Sequence, residues 1–74
     1  MSWYIERKMR DGKFVKHGEG YANSQTAKAA AKRESGGYFV TWRVCDKDAP
    51  LTWEAKIRPG ERTEWKLYRN EELE

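Results

Sequence analysis

The chain has 74 residues, of which 38% are hydrophobic and 36% charged, and a formal net charge of +3. That length allows one domain with a small core, and no apolar run approaches the length needed to span a membrane. Cys45 is the single cysteine, which excludes an intrachain disulfide and a thiolate metal cluster and points to a reducing, cytoplasmic compartment.

Trp3 to Arg10 alternates, with Trp3, Ile5 and Met9 on one side and Tyr4, Glu6, Lys8 and Arg10 on the other, so a strand is expected over about 3–10. Charge from Glu6 to Arg10 also interrupts anything resembling a signal peptide. Asp11-Gly12 reads as a two-residue hairpin turn into a second strand over about 13–22. That turn sets Met9 opposite Phe14, Arg7 opposite Lys16, Ile5 opposite Gly18 and Trp3 opposite Gly20. The opposed Arg7 and Lys16 are a local conflict, which a bulge near Gly18 or Gly20 would relieve.

A helix is expected over about 24–35. Asn23 or Ser24 serves as its N-cap, four alanines run through its middle, and Gly36-Gly37 supplies the stop. Thr26, Ala27, Ala30 and Ala31 form a stripe of small residues that lets the helix approach a sheet closely, and Lys28, Lys32 and Arg33 lie on the opposite side. A strand over about 37–45 turns Tyr38, Val40, Trp42 and Val44 inward. The next strand, about 51–58, alternates Leu51, Trp53, Ala55 and Ile57 with Thr52, Glu54, Lys56 and Arg58. A loop at Pro59–Glu61 leads to the last strand, about 62–69. It pairs Ala55 with Trp65, Trp53 with Leu67, Lys56 with Glu64 and Glu54 with Lys66. Residues 70–74 form an acidic tail.

These elements make an α+β domain of two layers: a five-stranded antiparallel sheet, built β-β-α-β-β-β, with one helix on one face. A right-handed crossover gives the spatial order 2-1-3-4-5. The other face is open and is expected to carry Tyr4, Lys8, Val15, His17, Phe39, Arg43, Lys56, Arg58, Lys66 and Tyr68.

No catalytic constellation is present. His17 is the only histidine, Cys45 has no histidine motif beside it, and the glycines of His17-Gly18-Glu19-Gly20 lack a phosphate-binding fingerprint. The expectation is a protein that is not an enzyme and takes no cofactor or metal. Residues 1–37 carry eight Lys and Arg against four Asp and Glu, whereas residues 38–74 carry seven against eight. The basic character therefore belongs to the first hairpin and the helix. Arg7, Lys8, Arg10, Lys13, Lys16, Lys28, Lys32 and Arg33 are the candidate surface for a protein or nucleoprotein partner. The alternative is direct binding of DNA or RNA on the open sheet through Tyr4, Phe39, Arg43, Lys56, Arg58, Lys66 and Tyr68. A self-associating assembly protein is a third reading.

In size, basic sheet-plus-helix layout and lack of catalytic residues, the chain resembles small phage-encoded inhibitors of host defence, the anti-CRISPR proteins among them. The resemblance spans the whole expected architecture, rests on no motif and carries over no functional residue. It implies a protein that acts in the host cytoplasm by occupying a surface on a nucleoprotein effector.

Overall fold

The structure, a computed structural model, describes residues 2–69. Its elements are β1 (Trp3–Lys8), β2 (Phe14–Tyr21), α1 (Ser24–Ser35), β3 (Val40–Asp46), β4 (Leu51–Ile57) and β5 (Lys66–Arg69). The strands form one antiparallel sheet in the order β2-β1-β3-β4-β5, as expected, with α1 on one face. The expected acidic tail lies outside the described residues.

Local chemistry sets the ends of α1. The Asn23 side chain accepts hydrogen bonds from the Thr26 backbone N–H at 2.8 Å and the Thr26 hydroxyl at 2.9 Å. Both satisfy groups that the first turn leaves unpaired or exposed. At the other end Gly36 adopts a φ of 61° and returns its N–H to the Arg33 carbonyl. Ala27, Ala30 and Ala31 are buried against Ile5, Val40, Trp42, Val44 and Ile57, and Trp3, Tyr21, Trp53 and Trp65 close the margins of this core. Thr26, by contrast, is exposed and belongs to the cap rather than to the buried stripe.

The first hairpin differs from its expected register. Gly12 donates to the Met9 carbonyl and Met9 to the Lys13 carbonyl, so the connection is a three-residue loop, Arg10–Gly12. Only Gly12 has positive φ, at 87°, and Asp11 is spared the left-handed conformation that a two-residue turn demands of it. Instead, the Asp11 carboxylate accepts the Lys13 N–H at 2.9 Å. The pairs become Lys8 with Phe14, Arg7 with Val15 and Glu6 with Lys16, which removes the Arg7–Lys16 conflict.

Irregularities between Ile5 and Glu6 and between Trp3 and Tyr4 then restore Ile5 opposite Gly18 and set Trp3 opposite Tyr21. The Tyr21 hydroxyl packs against Gly18, where a Cβ would force that side chain to shift. The one-residue slip turns Phe14 and Lys16 onto the open face and Val15 and His17 to the helix side, correcting their expected placement.

The last hairpin keeps the expected register where it is paired, Trp53 opposite Leu67 and Glu54 opposite Lys66. It is shorter than expected, since residues 58–65 form a wide loop and the pairings of Ala55 with Trp65 and Lys56 with Glu64 fall outside the ladder. Trp65 still packs against the core from that loop.

Candidate functional site

The structure divides the basic residues of the hairpin and helix among different surroundings. Lys28 leans toward β4, its Nζ 3.6 Å from the centre of the Trp53 ring and 5.8 Å from that of Trp65. Burial against these rings lowers its pKa, and the contact makes it part of the core margin. Lys32 lies in the same region, beside Ile57, Arg62 and Trp65. The hairpin is at the opposite side of the sheet, beyond β1. Arg33 is exposed on the helix, and Lys13 just after the hairpin loop. Lys16 turns to the open face, 5.1 Å from the Tyr4 ring and 3.5 Å from Glu19. Lys28 and Lys32 are therefore set apart from the hairpin.

Arg7, Lys8 and Arg10 all line one cleft, with the Arg7 side chain toward Trp42 on the helix side and the Lys8 Nζ 6.0 Å from the Phe14 ring on the open face. The β1–β3 ladder ends at Arg7 opposite Trp42. Past this pair the hairpin curls away with β2 while the chain entering β3 stays with β4. The gap is a wedge-shaped cleft of about 730 Å³, lined by Arg7, Lys8, Met9, Arg10 and Asp11 on one wall and Tyr38, Phe39, Val40 and Thr41 on the other. Its volume falls within the range of about 300–1,000 Å³ usual for ligand clefts.

Both walls are held from behind. The Arg7 guanidinium lies 5.9 Å from the Trp42 ring centre, and the Tyr38 N–H and C=O are both bonded to Ser35, the latter to its hydroxyl at 3.0 Å. Tyr38 and Phe39 are nevertheless 73% and 65% exposed. This splay was missed in the sequence, where strands were expected to continue through Arg10 and from Gly37. The signals for it were the helix stop at Gly36-Gly37 and the tightly looped Asp11-Gly12.

The open sheet is occupied by its own contacts. Arg43 pairs with Glu54, Nε to Oε1 at 2.8 Å, and stacks its guanidinium 3.7 Å from the Phe14 ring centre. Glu6, Tyr4 and Cys45 form a polar cluster in which the Cys45 thiol donates to Glu6 at 3.6 Å. Arg58 lies near Glu61 in the wide loop, and Lys56 and Lys66 line a second, smaller depression that also contains Glu61 and Glu64. Of the residues proposed for sheet-face binding, Phe39 alone belongs to the wedge.

His17 reaches across the helix face, 2.9 Å from Glu34, with its ring edge on Trp42. It ties β2 to the end of α1. Among the described residues no group of three or more His, Cys, Asp or Glu side chains is placed to hold a metal ion, and no helix is long and apolar enough to cross a membrane.

Cys45 is 4% exposed, and burial pushes its thiol up to about 11 from 9.0 despite the bond from Thr52, with the Glu6 charge adding to the rise. Burial and the neighbouring Cys45 likewise push Tyr4 up to about 12. A thiol held protonated in the fold loses no proton where the unfolded chain does, so stability is intact below pH 9 and falls as pH rises toward 11. The expected loss through Cys45 is ~2 kcal/mol at about pH 10.5. Urea unfolding at pH 8 and at the alkaline point measures it, and Cys45→Ala should remove more than half of the difference. An unchanged alkaline loss in that variant would refute the assignment.

Compared with family models, curated proteins and solved structures, the chain matches none.

Proposed function

We propose that this chain is a non-enzymatic binding module that engages a nucleoprotein complex through the hairpin end of its sheet. The observation that carries the reading is the wedge, where Arg7, Lys8 and Arg10 stand beside two aromatic side chains that remain mostly exposed on a braced backbone. Exposed aromatics framed by cations are the usual composition of an interaction hot spot. Their rigid support limits the ordering cost of binding. A small inhibitor that covers a nucleic-acid-handling surface, the class that the layout resembles, would work in this way.

Direct binding of DNA or RNA on the open sheet is the weaker reading, because Arg43 is committed to Glu54 and Phe14. The test is capture from a host lysate by the immobilised protein, followed by assay of the bound fraction for both protein and nucleic acid. Lys8→Glu/Arg10→Glu should abolish capture while leaving the far-UV circular dichroism unchanged, since both residues are exposed. Capture that survives this double substitution contradicts the proposal.

A further inference from the structure

We infer that the wedge itself takes an unpaired segment of nucleic acid, with bases stacked on Tyr38 and Phe39 and the adjoining phosphates held by Arg7, Lys8 and Arg10. The inference rests on the proposed binding module's choice of site and goes further by naming the component of the complex that enters it.

Three features of the wedge favour this occupant. First, Arg7 on the helix side, Lys8 on the open face and Arg10 at the loop flank the opening, and the one acid of the lining, Asp11, is turned to the Lys13 N–H, so the lining suits a polyanion. Second, Tyr38 and Phe39 are largely exposed, and bases supply flat stacking partners for both. Third, the bases of a duplex are already stacked on one another, so only a single strand offers free ring faces. The wedge opens at one end of the sheet, past the last β1–β3 pair, where it is accessible to a single strand.

The volume of about 730 Å³ is that of a small-ligand cleft, which suits a short segment rather than a long groove. Affinity should accordingly be modest and should depend on both the stacking and the charge. Ser35 braces the Tyr38 backbone on one wall, and Trp42 supports Arg7 on the other.

Fluorescence anisotropy with short labelled single strands of DNA and RNA, and with the same sequences as duplexes, tests the inference. Single strands should bind more tightly than duplexes. Raising salt should weaken binding with a log–log slope of about −2, from about 0.7 per phosphate and three cations. Tyr38→Ala/Phe39→Ala should weaken it roughly tenfold or more, from the usual worth of base–aromatic stacking. The double variant should keep its circular dichroism, because both rings are largely exposed.

No binding at low salt overturns the inference, as does a preference for duplex, an unaffected double variant, or equal competition by polyglutamate. If oligonucleotides fail while capture of a nucleoprotein still depends on Lys8 and Arg10, this inference falls and the binding-module reading stands. If that capture fails as well, both fall.

Discussion

Trp42→Ala is expected to destabilise the protein by about 3–5 kcal/mol, the range for removing a fully buried large aromatic side chain. A domain of this size has a total stability on the order of 4–11 kcal/mol, so the variant should lose roughly a quarter or more of it and unfold at clearly lower urea. Trp42 is completely buried on the central strand β3, at the middle of the cluster formed by Ala27, Ala30, Ala31, Ile5, Val40, Val44 and Ile57. It also receives the edge of His17 and the guanidinium of Arg7, so its loss would loosen β2 and one wall of the wedge together.

Its indole N–H has no hydrogen-bond partner among the described residues, a cost that the burial of so large a ring outweighs. Trp65→Ala is the comparison, because that ring is only half-buried at the core margin and its removal should cost clearly less. Urea unfolding followed by circular dichroism measures both. A loss below about 1 kcal/mol for Trp42→Ala would mean that the core does not depend on it.

Ala31→Leu probes the same interface from the helix side. Ala31 is fully buried, and its methyl group sets how closely α1 approaches the sheet. Extra methylenes have no space there and must push the helix outward or force strained rotamers, which costs typically 1–3 kcal/mol. Ala29 lies on the exposed side of the same helix, and leucine is nearly as good a helix former as alanine, so Ala29→Leu should change stability by no more than about 0.5 kcal/mol. Equal effects at the two positions would contradict the packing described. The difference separates crowding at the sheet from any intrinsic preference of the helix.

The fold was legible because each element carries its own period. Alternation in Trp3–Lys8, Val40–Asp46 and Leu51–Ile57, set against the small-residue stripe of the helix, leaves one economical arrangement for the sheet. The register of β4 with β5 was legible too, because Trp53 against Leu67 and Glu54 against Lys66 are favourable on both faces.

The first hairpin was harder. Asp-Gly satisfies two different turns, and the choice between them rests on the conformational cost at Asp11, which side-chain pairing does not express. From that choice follow the faces of Phe14, Val15, Lys16 and His17. The wedge depends on a splay of two strands that both read as continuous, and it arises where the looped hairpin and the helix stop pull their chains apart. Arg7, Lys8 and Arg10 were visible as a basic cluster in the sequence. Their meeting with Tyr38 and Phe39 was not, because about thirty residues and a helix separate them along the chain.

The central claim, that function lies at the wedge, is tested most directly by running the nucleoprotein capture with two charge reversals side by side. Lys8→Glu/Arg10→Glu alters the wedge, whereas Lys56→Glu/Lys66→Glu places the same change of charge on exposed positions of the open sheet. Loss of capture in the first variant with retention in the second is the predicted result. Retention in the first with loss in the second would place the working surface on the open sheet and contradict it.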